Sequence, residues 1–153
     1  MKRILLVEDT PDKANDIKSF LKSTYGDEIE VTDSEAFKTA QQEILAHHHD
    51  YDMILLDMTM STFDPKKEEN GGTPEPVGGK QLLNYMYLNE ITTKVLVVTM
   101  YKDFIGQNIL SLDRELKEEY SDFYCGFVFF SFSNNLWMTD LKKKIDTLLC
   151  LKS

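Results

Sequence analysis

A chain of 153 residues, 42% of them apolar, has the length of one ordinary domain and enough apolar surface to cover a central sheet on both faces. Its formal net charge of −9 argues against a nucleic-acid surface, which needs clustered Lys and Arg to displace counterions, and two cysteines, Cys125 and Cys150, are too few for a disulfide framework. The apolar run Ile4–Val7 behind Met1-Lys2-Arg3 is too short for a signal peptide or a membrane span, so the expectation is a cytoplasmic protein with neither membrane nor nucleic acid among its partners.

Ile4–Val7 reads as a buried strand from its unbroken apolar character. Thr10-Pro11 follows as an N-cap with proline at the first helical position, and the helix carries Ala14, Ile17 and Leu21 on one face. Tyr25-Gly26-Asp27 turns the chain into a weaker strand around Ile29 and Val31. Ser34 is the expected cap of a second helix, with Ala36, Phe37, Ala40 and Ile44 facing inward. Met53–Leu56 is a third strand, and a short helix around Leu82, Leu83 and Met86 leads to a fourth, Val95–Val98, closed by Thr99. Ile105, Ile109, Leu112 and Leu116 recur at helical spacing, so a helix is expected there. Gly126–Phe130 is the fifth strand, and Trp137, Leu141, Ile145 and Leu148 mark the last helix.

Five strands alternating with helices define an α/β protein with a flavodoxin-like, doubly wound parallel sheet in the order 2-1-3-4-5, helices on both faces. In that order the ligand site lies at the carboxyl ends of the first and third strands, where the winding reverses. One stretch breaks the rhythm. Between Ser61 and Gly79 lie three of the four prolines, four of the seven glycines and the run Lys66-Lys67-Glu68-Glu69. That composition predicts an exposed, mobile insertion loop over 61–79 within a single domain spanning 1–153.

The first strand ends in Glu8-Asp9 and the third in Asp57, so the topology brings three carboxylates to the switch point. Three like charges in one place call for protonation, a basic partner or a cation, and oxygen-only ligands suit Mg²⁺. Thr99 carries a hydroxyl to the same rim. The strings Ile4-Leu5-Leu6-Val7-Glu8-Asp9, Ile54-Leu55-Leu56-Asp57-Met58-Thr59-Met60 and Leu96-Val97-Val98-Thr99 together resemble the receiver domain of two-component response regulators, over almost the whole chain. Gly78-Gly79-Lys80-Gln81-Leu82-Leu83 and Gly126–Ser133 resemble that family's stretch after the phosphoacceptor loop and its fifth strand.

The resemblance implies a stand-alone signalling protein of a phosphorelay. Asp57 would be the phosphoacceptor, attacking a phosphohistidine in an in-line transfer. Glu8, Asp9, Asp57 and the main-chain carbonyl of Thr59 would hold Mg²⁺. Thr99 would hydrogen-bond a phosphoryl oxygen, and Thr99 and Phe127 would form the switch. The implied partners are a sensor histidine kinase or phosphotransfer protein and a downstream protein. Its catalysis would amount at most to self-phosphorylation from a phosphohistidine or small phosphodonor and self-dephosphorylation.

Three positions depart from the family. Its lysine and proline at the end of the fifth strand are replaced by Phe130 and Ser131, and no lysine lies between Lys117 and Lys142. A missing ammonium removes a charge-assisted contact worth about 1.5–3 kcal/mol. A Phe130–Ser131 peptide is expected to be trans, because a cis bond before a residue other than proline costs about 2.5–4 kcal/mol. Met100 replaces a small residue, and Lys102 is a candidate substitute cation as well as an ordinary solvated helix start. The second reading is therefore a phosphorylation-independent pseudo-receiver that binds proteins through 61–79 and 102–125. A phosphohydrolase of the haloacid-dehalogenase type would need an acid where Thr59 stands, and Glu8-Asp9 would repel a flavin phosphate. His47-His48-His49 cannot converge on one ion while helical. Lys142-Lys143-Lys144, between Asp140 and Asp146, reads as a solvated helix face.

Overall fold

The computed structural model describes residues 1–60, 77–104 and 106–151. Strand β1 (Lys2–Val7) leads to helix α1 (Pro11–Tyr25), β2 (Ile29–Ser34), α2 (Phe37–His47) and β3 (Met53–Leu56). Beyond it come α3 (Val77–Leu88), β4 (Lys94–Thr99), the short strands β5 (Asp103–Phe104) and β6 (Gln107–Asn108), α4 (Ile109–Glu119), β7 (Tyr124–Phe129) and α5 (Leu136–Leu148). The main sheet runs β2-β1-β3-β4-β7 with every pair parallel, which is the expected order with β7 as fifth strand.

The unbroken apolar strands are explained by burial on both faces. Leu5, Val7, Ile54, Leu56, Val95 and Val97 pack with Ile44, Leu82, Leu83, Met86, Leu112 and Leu116 on one side. Ile4, Leu6, Met53, Leu55, Leu96 and Val98 pack with Ile17, Leu21, Leu141 and Ile145 on the other. Register then sets the site. Val7 pairs with Leu56 and Leu56 with Val97, so the residues just beyond β1 and β3 lie side by side.

Three expectations are corrected. Ser34 does not cap α2: it pairs with Val7 as the last residue of β2, and α2 starts at Phe37 with Ala36 at its N-cap. The loop expected over 61–79 ends sooner, because Val77, Gly78 and Gly79 form the first turn of α3; the remainder of that segment lies outside the described residues. Close approach explains this use of glycine. A Cβ on Gly79 would stand 2.7 Å from Met58 Cα, and one on Gly78 would collide with the Met60 carbonyl. The Gly79 amide donates to the Met58 carbonyl at 3.0 Å. Finally, the helix expected from Ile105 begins at Ile109, after β5 and β6 have paired antiparallel. Asn108 caps it by accepting from the Ser111 amide at 2.9 Å, and Ile105 lies outside the described residues.

Two other readings hold, for the basic run and for the Phe130–Ser131 peptide. Lys142 pairs with Asp146 at 2.6 Å and Lys144 with Asp140 at 2.8 Å along α5, which makes the basic run a surface of local ion pairs. The described residues contain no cis peptide bond, so Phe130–Ser131 is trans. No helix is long and apolar enough to cross a membrane among the described residues.

Candidate functional site

Asp57 follows β3 and is 4% exposed. Its amide donates to the Val7 carbonyl at 3.0 Å, continuing the ladder one residue past the strand. The carboxylate is fixed at Oδ1, which accepts from the Thr59 amide at 3.2 Å and the Thr59 hydroxyl at 3.1 Å. Glu8 is buried beyond β1, with its amide donating to the Ser34 carbonyl and its Oε2 accepting from the Thr10 amide at 3.2 Å. Asp9 is the most solvent-facing of the three acids.

Each of Glu8, Asp9 and Asp57 offers a carboxylate oxygen within 4.8 Å of the others, the one such group of potential metal ligands among the described residues. The donor set is all oxygen and fits a hard divalent cation. Mg²⁺, which takes oxygen ligands only, is the kind of ion that Glu8, Asp9 and Asp57 would hold. The His47–His49 triplet is not part of such a group; the His48 and His49 rings lie 3.9 Å apart and His47 Nδ1 lies 3.5 Å from Asp50.

Thr99 closes β4 with no solvent exposure. Its hydroxyl accepts from the Tyr101 amide at 3.2 Å, and its carbonyl accepts from the Phe130 amide at 2.8 Å. Phe127, paired with Val97, is half-buried and lines a groove of about 440 Å³ with Tyr101, Asn108, Ile109 and Phe129. Lys102 is directed there too, its ammonium 4.8 Å above the Phe129 ring. The candidate substitute cation therefore packs on an aromatic face of the groove. Met100 packs against the core formed with α1 and α5.

A different lysine reaches the acids. Lys13, in the first turn of α1, is 1% exposed. Its Nζ lies 2.7 Å from Glu8 Oε1 and 3.6 Å from Asp57 Oδ1, and it donates to the Val98 carbonyl at 2.7 Å. Burial pushes the Glu8 carboxyl up, with Asp57 adding to the effect; the Lys13 charge pulls it back. Below Lys13 sits Phe130, 1% exposed, its ring 5.9 Å from the ammonium and packed against Phe132 and Trp137 at 5.0 and 4.7 Å. Lys13 escaped the sequence reading, although it lies four residues before Ile17 and eight before Leu21. A lysine on the buried stripe of a helix was the available signal. The Thr59 hydroxyl was also missed, since only its main-chain carbonyl had been assigned a part.

A parallel 2-1-3-4-5 sheet with acids beyond its first and third strands, and a buried threonine closing its fourth, is the arrangement of a signal receiver. The chain is 30% identical over 151 residues to the Detocs response regulatory protein DtcB of Enterobacter cloacae, spanning 95% of this chain and 99% of that one. It belongs to the response-regulator receiver family. No family model matches the sequence. Among solved structures, the phosphorylated cyanobacterial phytochrome response regulator RcpA superposes with a TM-score of 0.69 at 16% identity, covering 99% of this chain and 96% of that one. A chain of the CheX–CheY–BeF₃–Mg²⁺ complex from Borrelia burgdorferi does so with a TM-score of 0.66 at 13% identity, covering 97% and 89%.

Proposed function

We propose that this receiver accepts a phosphoryl group on Asp57, with Mg²⁺ held by Glu8, Asp9, Asp57 and the Thr59 carbonyl, and passes the signal on through protein contacts. The observation that carries this reading is a buried carboxylate at the switch point, fixed at one oxygen by Thr59 and set within 4.8 Å of two further acids. Holding Oδ1 from two donors orients the carboxylate for an in-line approach and removes the entropy of side-chain rotation. Bound Mg²⁺ would neutralise charge on the phosphoryl oxygens. Thr99, at the end of the neighbouring strand, supplies a hydroxyl to hydrogen-bond one of those oxygens. Thr99 closes β4 and Phe127 lies on the neighbouring β7, where it lines the groove beside α4, a path by which the site would reach a partner-facing surface. The donor would be a sensor histidine kinase or phosphotransfer protein. The phosphorylated and beryllofluoride-containing relatives support this reading by likeness of fold.

The second reading, a phosphorylation-independent binding module, is favoured by Phe130, which fills the family's lysine position with a fully packed ring. Beryllofluoride with Mg²⁺ separates the two. A working receiver gives an adduct that is lost in Asp57→Asn, with amide shifts at Thr99 and Phe127. Shifts on Mg²⁺ alone, with no adduct, identify the pseudo-receiver.

A further inference from the structure

We propose that Lys13 is the phosphoryl-contacting cation of this protein, delivered from the first turn of α1 in place of the lysine that Phe130 displaces. The inference rests on the reading of Asp57 as phosphoacceptor. An ammonium has three donors. Two of them serve Glu8 Oε1 and the Val98 carbonyl, both at 2.7 Å. Asp57 Oδ1, at 3.6 Å, is within electrostatic range and beyond a hydrogen bond. The remaining donor, on the side of Asp57, is the one assigned to an oxygen of a phosphoryl group carried there, with the Val98 contact kept.

Phe130 has a part in this arrangement. It closes the floor of the pocket with an aromatic ring, so the ammonium sits at 2% exposure in a setting where charge is weakly screened. Val98, whose carbonyl accepts from the Lys13 ammonium, immediately precedes Thr99, so the ammonium is anchored on β4 beside the threonine. Movement of Lys13 toward the phosphoryl group is thereby coupled to β4.

In the transfer, an Asp57 carboxylate oxygen forms a bond to phosphorus while the P–N bond of phosphohistidine, or the P–O bond of acetyl phosphate, breaks. The leaving imidazole or acetate takes the bonding electron pair. Lys13 neither gives nor takes a proton: its fixed positive charge faces the equatorial oxygens, where negative charge is spread.

The competing role is that of a static counter-ion for Glu8. Titration of full-length protein with beryllofluoride in Mg²⁺, followed by ¹⁹F NMR, distinguishes them. Lys13→Met is expected to weaken beryllofluoride binding about tenfold or more, the loss of one charge-assisted contact, without weakening Mg²⁺ binding measured alone. In wild-type protein labelled with ¹⁵N-lysine, the Lys13 ammonium resonance is expected to shift on adduct formation, a readout that needs no variant. Unchanged beryllofluoride affinity in Lys13→Met, an equal loss of Mg²⁺ affinity, or an unmoved ammonium resonance overturns the assignment of Lys13. Absence of any adduct in the wild type overturns the phosphoacceptor reading instead, and this inference with it.

Discussion

Lys13 Nζ stands 2.7 Å from Glu8 Oε1, with both side chains sealed from water at 2% and 1% exposure. A buried pair of this kind gains little net stability from its formation, yet removing one partner leaves a charge with nothing to balance it. Lys13→Met is therefore expected to lose about 3–5 kcal/mol. Because the paired variant Lys13→Met/Glu8→Gln removes both charges, it should be more stable than Lys13→Met alone. Urea denaturation in the presence of a chelator measures both, and additive losses would mean that the two groups do not interact.

Gly79 sets the position of the loop behind Asp57. A methyl group there meets Met58 at its Sδ and Cα, 2.5 and 2.7 Å away, and the backbone cannot yield as a flexible side chain would. Gly79→Ala should cost about 1–3 kcal/mol as an overpacking change. It should also weaken beryllofluoride binding, because Met58 directly follows Asp57. A denaturation midpoint equal to wild type would show that α3 is not seated on the loop this tightly.

Phe130 is a structural ring. It is 1% exposed between Phe132 and Trp137. Truncation to alanine should destabilise the protein by about 3–5 kcal/mol and alter the fluorescence of Trp137, the one tryptophan in the sequence. A loss below about 1 kcal/mol would be that of a ring that packs nothing.

Stability should fall in alkali. The Tyr124 hydroxyl donates to Asp113 Oδ1 at 2.6 Å and the Tyr25 hydroxyl to Asp146 Oδ1 at 2.8 Å. Burial, reinforced by those carboxylates, holds both phenols well above their ordinary value of 10.0. The unfolded chain therefore ionises first. The stabilisation is complete below pH 10 and is lost as pH rises beyond it. Urea titrations at pH 8, 10 and 11 should give progressively lower free energies, and Tyr124→Phe should reduce that slope. A pH-independent free energy over this range would contradict the raised values.

The fold was legible because the central strands β1, β3 and β4 are short apolar runs closed by a polar residue, and parallel order follows from the alternation with helices. The acids were legible for the same reason: Glu8, Asp9 and Asp57 stand where strands stop. What escaped was set by tertiary contact. Lys13 belongs to a stripe with Ile17 and Leu21, but its charge hid it among the polar residues Asp12, Asn15 and Asp16. Lys102, weighed as a substitute cation beside an ordinary solvated helix start, precedes the β5–β6 pair and lies over Phe129. Ser34 has the chemistry of a cap, and its ladder position beside Val7 outweighs that local preference. The extra length at Gly78-Gly79 read as loop because glycine is a turn residue, whereas here it is what lets α3 approach Met58.

The central claim is that Asp57 carries the phosphoryl group, and acetyl phosphate with Mg²⁺, followed by borohydride trapping and peptide mass mapping, tests it most directly. Reduction of an aspartyl phosphate leaves homoserine, so the account predicts homoserine at position 57 and none in Asp57→Asn. Homoserine at another position, or phosphate retained in Asp57→Asn, would contradict it.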